Sequence, residues 1–178
     1  MNYCTNCGRP LIIDVPAGDD RQRYICPDCT MIHYQNPKMV VGCIPVHQER
    51  VLLCRRSIEP GYGKWTIPAG YLENHETVTE GARREAWEEA GIVLEDMIPY
   101  RLFNIVHIAQ IYLIFRGTIV DGGFHPGDES LDAGLFSESE IPWQEIAFRV
   151  VSVSLENYFK DRQSGIFPFK TDDIRPRR

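Results

Sequence analysis

The 178-residue chain lacks any apolar run long enough to cross a bilayer: near its middle the longest is residues 111–115, against the roughly 20 that a spanning helix needs. No membrane partner is therefore expected. A basic start followed by an apolar stretch is also missing, since Cys4 and Cys7 stand in polar company there. With no secretory signal readable, a cytoplasmic location is the expectation. Repeats and low-complexity tracts are absent as well. Positive charge is in short supply: 19 Lys and Arg stand against 25 Asp and Glu, a net charge of −6. Such a field repels phosphate backbones, so nucleic acid is a poor candidate partner, and a phosphate-bearing substrate would have to be met through cations.

What is present suits a globular protein. Hydrophobic residues make up 43% and charged residues 25%, which disfavours disorder, and the length accommodates one ordinary domain with a small appendage. Four of the six cysteines form two C-x2-C pairs, Cys4/Cys7 and Cys26/Cys29, with 18 residues between them. This is zinc-ribbon spacing, and Gly8, Pro27 and Asp28 suit the tight knuckles that aim thiolates at one tetrahedral ion. Two disulfides are the alternative, but nothing points to an oxidising compartment. Residues 1–36 thus read as a zinc-nucleated module too small to build its own core, with Asn36-Pro37 as the boundary. Cys43 and Cys54 lie in apolar runs and read as buried thiols.

Residues 38–46 and 51–55 are β-branched-rich and read as a hairpin, followed by a Pro- and Gly-bearing loop at 57–64 and a short strand at 65–67. The clearest helix is 77–90, with Thr77 and Glu80 as a capping box and Gly91 as its stop. Strands are expected at 94–103 and 105–120, the second interrupted at Arg116 and Gly117. A loop at 121–130, a short strand at 135–136 and a helix at about 142–163 complete the pattern.

On the first helix Glu85, Glu88 and Glu89 are spaced i, i+3 and i+4, so they fall within an arc of roughly 100°. Like charges on one face repel, and hard divalent cations such as Mg2+ or Mn2+ are their natural compensation. A solvated acidic face is the plain alternative. The wider segment decides between the two: Gly70, Glu76, Arg84, Glu85, Ala86, Glu88, Glu89, Gly91 and Ile92 fit G-x5-E-x7-R-E-U-x-E-E-x-G-U, with U apolar. At average residue usage its seven fixed positions would arise by chance with a probability of about one in a million.

This segment resembles the Nudix box. The resemblance implies an α/β fold, a Nudix α/β/α sandwich with a mixed sheet, preceded by a small zinc ribbon. Its domains would be 1–36 (zinc ribbon), 37–170 (Nudix hydrolase) and a polar, frayed tail at 171–178. It also implies hydrolysis of nucleoside diphosphates linked to another moiety, with Glu85, Glu88 and Glu89 binding Mg2+ or Mn2+ and Arg84 orienting them. Glu76 is either a further ligand or an ion-pair partner in its loop. In similar proteins a downstream loop supplies another acid; Glu129 stands at the comparable place as metal ligand or general base, with Asp128, Asp132, Glu138 and Glu140 as rivals. Arg55 and Arg56, closing the second strand, are candidates for substrate contact, as is Tyr71. Trp65 and Phe103 suit base stacking or the core. His33, His47, His75, His107 and His125 show no ligand spacing.

The resemblance extends beyond the box. The cysteine pairs, YQNPKMVVGC at 34–43, KWTIPAGYLE at 64–73 and PGDESL at 126–131 are similar to the zinc-ribbon Nudix group, which includes the plant chloroplast FAD pyrophosphohydrolase and bacterial relatives. FAD cleavage to FMN and AMP is the leading expectation, ahead of ADP-ribose. The SQPWPFPxS signature of NADH pyrophosphatases is missing from 99–110, and His107-Ile108 stands where ADP-ribose pyrophosphatases often carry a proline. A zinc-ribbon binding module with a non-catalytic Nudix fold is the reading from another class. The group also implies a homodimer, for which residues 39–44, read as an exposed apolar strand, are the expected surface.

Overall fold

The computed structural model describes residues 1–176. The chain divides between Pro37 and Lys38 into two compact units. In the first, β1 (Ile12–Asp14), β2 (Arg23–Ile25) and β3 (Ile32–His33) form a three-stranded antiparallel sheet. Each C-x2-C pair sits on a hydrogen-bonded knuckle, Gly8 N–H to Cys4 C=O at 2.9 Å and Thr30 N–H to Cys26 C=O at 2.8 Å. Among the described residues of this unit only Cys4, Cys26 and His33 are buried. That is too little apolar burial to offset chain entropy without a cross-link or an ion.

The second unit is built on a mixed sheet. Its elements are β4 (Lys38–His47), β5 (Arg50–Arg56), β6 (Trp65–Thr66), β7 (Ala69–Tyr71), α1 (Val78–Ala90), β8 (Leu94–Ile105), β9 (Gln110–Ile119), β10 (Ser130–Phe136), α2 (Arg149–Ser164) and β11 (Lys170–Asp173). The strand order is β10-β5-β4-β9-β8-β11, with β4–β9 and β8–β11 parallel. β4 and β5 pair only beside their turn, at Val46↔Val51 and His47↔Arg50, and then diverge. β6 pairs with β5 and β7 with β4 beyond that point, which carries the following segment to the start of α1.

The period of two along β4 and β5 builds two cores. Val41, Cys43, Leu52 and Cys54 face α1 and meet Ala82, Ala86 and Ala90, whose small side chains let the helix lie close to the sheet. Ile44, Val51 and Leu53 face α2 and meet Val150, Val151, Leu155, Tyr158 and Phe159. Each fully buried Leu or Phe there contributes roughly 1.5–3 kcal/mol. The result is the α/β/α sandwich. α2 is further tied to β8 by buried Arg101, whose Nη2 meets Asp161 Oδ2 at 2.6 Å while Tyr100 donates to the same oxygen at 2.8 Å. Cys43 and Cys54 are buried free thiols, and burial raises both above the ordinary thiol pKa.

Several expectations are corrected. Residues 39–44 are no exposed surface: β4 is central, flanked by β5, β7 and β9, and Val40 to Ile44 are buried. The strand at 105–120 begins later, because residues 106–108 form a 3-10 turn ending at left-handed Ala109; Arg116 and Gly117 do not break it. β10 starts at Ser130, five residues before the expected strand, since its backbone pairs with β5 from Arg56 back to Val51. α2 begins at Arg149 and not at 142, because Ile146 bridges Trp65 and Ala147 N–H binds Trp65 C=O at 2.8 Å, holding that stretch off the helix. Residues 171–173 of the tail do not fray but pair with β8; 177–178 lie outside the described residues. Among the described residues no helix is long and apolar enough to cross a membrane.

Candidate active site and zinc centre

α1 starts as its capping box requires: Thr77 Oγ1 accepts from Glu80 N–H at 3.2 Å, and Glu80 Oε2 accepts from Thr77 N–H at 2.8 Å. It ends at Gly91 in the left-handed region, φ 62°. This fixes the phase of the helix, and Glu85, Glu88 and Glu89 share one face with unequal surroundings. Glu85 and Glu89 are 8% and 7% exposed, whereas Glu88 faces solvent. Gly70 is needed for what it lacks, since a Cβ there would collide with the Glu85 carboxylate.

Arg84 is the hub of the site. Its Nε and Nη2 bind Glu76 Oε2 and Oε1 at 3.0 and 2.8 Å, its Nη1 binds Glu85 at 2.7 Å and Glu88 at 2.9 Å, and Nη2 also donates to Tyr71 C=O at 3.1 Å. Glu76 is thereby placed as the ion-pair partner of Arg84, which holds its carboxyl down to about 2. Burial pushes the Glu89 carboxyl up to about 8; the neighbouring Glu85 adds to the rise, while Arg56 and the Ala69 backbone oppose it. Glu85 is raised for the same first reason, against the pull of Arg84.

The Glu129 charge bears on both Glu85 and Glu89, adding a last, small contribution to the rise of each carboxyl. The loop that carries it is laid over the C-terminal end of α1. His125 N–H donates to Ala90 C=O and Gly127 N–H to Glu89 C=O, each at 3.0 Å, satisfying carbonyls that the helix leaves free. Ser57 N–H then holds the Glu129 carbonyl at 2.9 Å. Three rivals have carboxylates engaged elsewhere, Asp132 with Ala133 N–H, Glu140 with Ser137 and Glu138 with Arg162, while Asp128 accepts from Ser57 Oγ through its backbone carbonyl. Arg84 thus meets the carboxylates of Glu76, Glu85 and Glu88, and Arg56 acts on Glu89 through its charge, against five acidic side chains once Glu129 is included. The deficit of positive charge, with two carboxyls raised by burial, is the chemistry that a hard divalent cation relieves.

Arg56 donates to Pro60 C=O at 2.9 Å and lies 5.2 Å over the Phe148 ring, with Glu89 within its electrostatic reach. Arg55 is exposed and donates to Gly63 C=O at 2.8 Å. Tyr71 is exposed, accepts from Gln110 Nε2 at 2.9 Å and carries Lys38 Nζ 4.9 Å over its ring. Phe103 is fully buried in the core, and Trp65 packs edge-on to Phe136 at 4.9 Å. Sequence reasoning missed the residues beside Ala69: Thr66, Tyr112, Phe148 and Val151 line a cavity of about 20 Å³. Nothing in their local pattern marks them, because three separate elements bring them together.

In the first unit the ligand sulfurs of Cys4, Cys7, Cys26 and Cys29 all lie within 4.8 Å of one another. Cys4 and Cys29 Sγ are 3.6 Å apart and Cys7 and Cys26 Sγ 3.4 Å, far beyond a disulfide bond. A tetrahedral Zn–S shell requires about 3.8 Å between sulfurs, so four thiolates in this cage fit zinc. Buried His33 places Nε2 3.4 Å from Cys4 Sγ, a contact across 29 positions that the sequence did not signal.

Comparison with known proteins accords with this geometry. The family model described as NUDIX domain matches residues 36–152, and the zinc-ribbon model described as Nudix N-terminal matches residues 2–35. The NAD-capped RNA hydrolase NudC of Chromobacterium violaceum is 33% identical over 143 residues, covering 79% of this chain and 51% of that protein. The mitochondrial NAD(P)H pyrophosphatase NUDT13 of Homo sapiens is 26% identical over 167 residues, 94% of this chain and 45% of that protein. The chain spans about half the length of these curated relatives. A crystal structure of a NUDIX hydrolase from Nitrosomonas europaea superimposes with a TM-score of 0.94 at 48% identity, covering 98% of this chain and 99% of that one.

Proposed function

The chain belongs to the Nudix family, and from that premise we propose that it is a pyrophosphohydrolase that adds water across the diphosphate of an ADP-X compound, releasing AMP and X-phosphate. The observation that carries this is the acidic face of α1, where Arg84 binds Glu85 and Glu88, Glu89 is buried nearby, and the Glu129 charge bears on both buried carboxyls. Glu85, Glu88 and Glu89 would hold Mg2+ or Mn2+, which supplies neutralisation of the diphosphate and a more acidic attacking water. Arg84 orients Glu85 and Glu88 and is itself held by its ion pair with Glu76. Glu129, exposed on its loop, is the base that receives the proton. Arg56 and Tyr71 flank the approach as substrate contacts, with Arg55 at its margin. Cys4, Cys7, Cys26 and Cys29 hold structural zinc, and residues 1–36 fold around it as a ribbon ahead of the hydrolase domain at 37–170.

For X, the likeness across residues 34–43 and 64–73 supports FAD. A nicotinamide dinucleotide is the second reading, favoured by the names of two relatives, an NAD-capped RNA hydrolase and an NAD(P)H pyrophosphatase; ADP-ribose is the smaller variant of either. The family likeness also supports a homodimer, through a surface other than β4. The deciding experiment is multi-turnover release of AMP from FAD, NADH, NAD+, ADP-ribose and ADP-sugars with Mg2+ and with Mn2+. A kcat/KM for FAD well below that for NADH or ADP-ribose reassigns X; no turnover on any compound leaves a binding module.

A further inference from the structure

We propose that the second unit carries a separate phosphate subsite, formed by His107, Arg149 and Arg175 beside Trp143, which takes a phosphomonoester on the nucleoside of the substrate, beyond the diphosphate that is cleaved. The inference rests on the ADP-X reading and narrows it toward the second reading, a nicotinamide dinucleotide or ADP-ribose bearing a further phosphate, since FAD has no phosphomonoester.

A groove of about 370 Å³ is lined by these four residues together with Gln144 and Ser152 among others, and none of its lining residues is acidic. In a chain with net charge −6, two arginines and a histidine line this groove with no carboxylate among its lining residues. Arg149 makes no ion pair among the described residues, and Arg175 reaches only Asp173, at 3.8 Å on the surface. A phosphomonoester brings about −1.5 to −2 charges and three acceptor oxygens, the geometry that guanidinium forks recognise. Trp143 stands edge-on to Phe159 at 6.4 Å and remains 36% exposed, leaving indole surface for a base to stack on.

The groove lies within reach of the glutamates. Ala147, in its wall, is hydrogen-bonded to Trp65, and four residues later Ala69 stands against Glu89. Four extended residues span at most about 14 Å. Phe148 gives a second link, through Arg56 to Glu89. A substrate seated by its diphosphate at α1 can therefore lay one nucleoside toward Trp143 and a further phosphate between the two guanidiniums and the His107 ring.

The test uses matched substrates, NADH against NADPH and ADP-ribose against its 2′-phosphorylated form, with wild type, Arg149→Gln and the Arg149→Gln/Arg175→Gln double variant, each checked for an unchanged melting temperature. The expected result is a kcat/KM ratio favouring the phosphorylated partner in wild type, falling at least tenfold in the double variant. A ratio near one in wild type, or one unchanged by both substitutions, overturns the subsite. Calorimetric binding of 2′-phosphorylated AMP against AMP gives an arm independent of turnover. If no ADP-X compound is hydrolysed, a preference for the phosphorylated nucleotide that the double variant loses supports the subsite, and equal binding overturns it.

Discussion

Arg84 and Glu76, eight positions apart, meet in a two-pronged ion pair at 3.0 and 2.8 Å, and the same guanidinium binds Glu85 and Glu88 with its remaining nitrogen. One planar group thus fixes three carboxylates. Lysine keeps the charge but cannot supply the fork, so Arg84→Lys should lower kcat on the order of 10²-fold, the scale set by small misplacements of catalytic groups. Steady-state kinetics over a Mg2+ titration check this, with a parallel rise in the Mg2+ concentration for half-maximal rate. Wild-type kinetics in the lysine variant would remove Arg84 from the machinery.

Glu88→Gln and Glu89→Gln each remove one anionic oxygen from the proposed cation face and should lower kcat by at least about 10²-fold while the fold persists. Glu129→Gln should lower kcat with Mg2+ affinity retained if it is the base, and lose both if it is a ligand. Rates at saturating Mg2+, with circular dichroism as the fold control, separate these outcomes. Undiminished turnover in both helix variants makes the face a solvated one.

The fold and the geometry of the candidate site are legible in the sequence wherever the determinants are local. The α1 boundaries follow from Thr77, Glu80 and Gly91 within one helix, and the glutamate face follows from helical periodicity. β11 could not be read because its KTDD has no apolar alternation. It is held by edge pairing to β8 and by Asn104 Nδ2 donating to Asp173 at 3.2 Å, partners 69 residues apart. Likewise the start of α2 is set by Trp65, some 80 positions earlier, and not by its own propensity. Glu129 could be placed by likeness alone, since what brings it to α1 is the demand of the Glu89 and Ala90 carbonyls for donors.

Stability should depend on pH through Glu89. The folded carboxyl holds its proton up to about pH 8, whereas the ordinary value is 4.5. Between those values the folded state binds the extra proton, so this contribution is full below about pH 4.5 and is lost as pH rises through about 8. Glu85, also raised, acts in the same direction. Without added Mg2+ the melting temperature should fall from pH 5 to 9, and Glu89→Gln should flatten that fall. Added Mg2+ should stabilise more at pH 8 than at pH 5, because the cation takes the ionised carboxylates. A melting profile identical in wild type and Glu89→Gln excludes the effect.

The first unit should depend on zinc for its fold and on His33 for how tightly the ion is kept. Its buried residues are two ligand cysteines and His33, so the ion must supply what a core does elsewhere, and Cys26→Ser should unfold this unit or cause association. A tetrathiolate shell leaves zinc with two excess negative charges, and a donor to one sulfur offsets part of them. With a zinc-bound thiolate at Cys4, Nε2 of His33 must carry the hydrogen across the 3.4 Å contact, since the sulfur then has none to give. His33→Phe fills the space without the donor, and His33→Gln can restore an N–H. The expected order of zinc release to a colorimetric chelator is Phe fastest, Gln intermediate and wild type slowest, with a wild-type to Phe difference on the order of tenfold or more. The imidazole nitrogen shifts of zinc-loaded protein should show the Nε2–H form. About one zinc per chain, released at equal rates by all three proteins, would leave the zinc centre standing and remove His33 from it; no zinc, with the four cysteines bridged by mass, would end the ribbon itself.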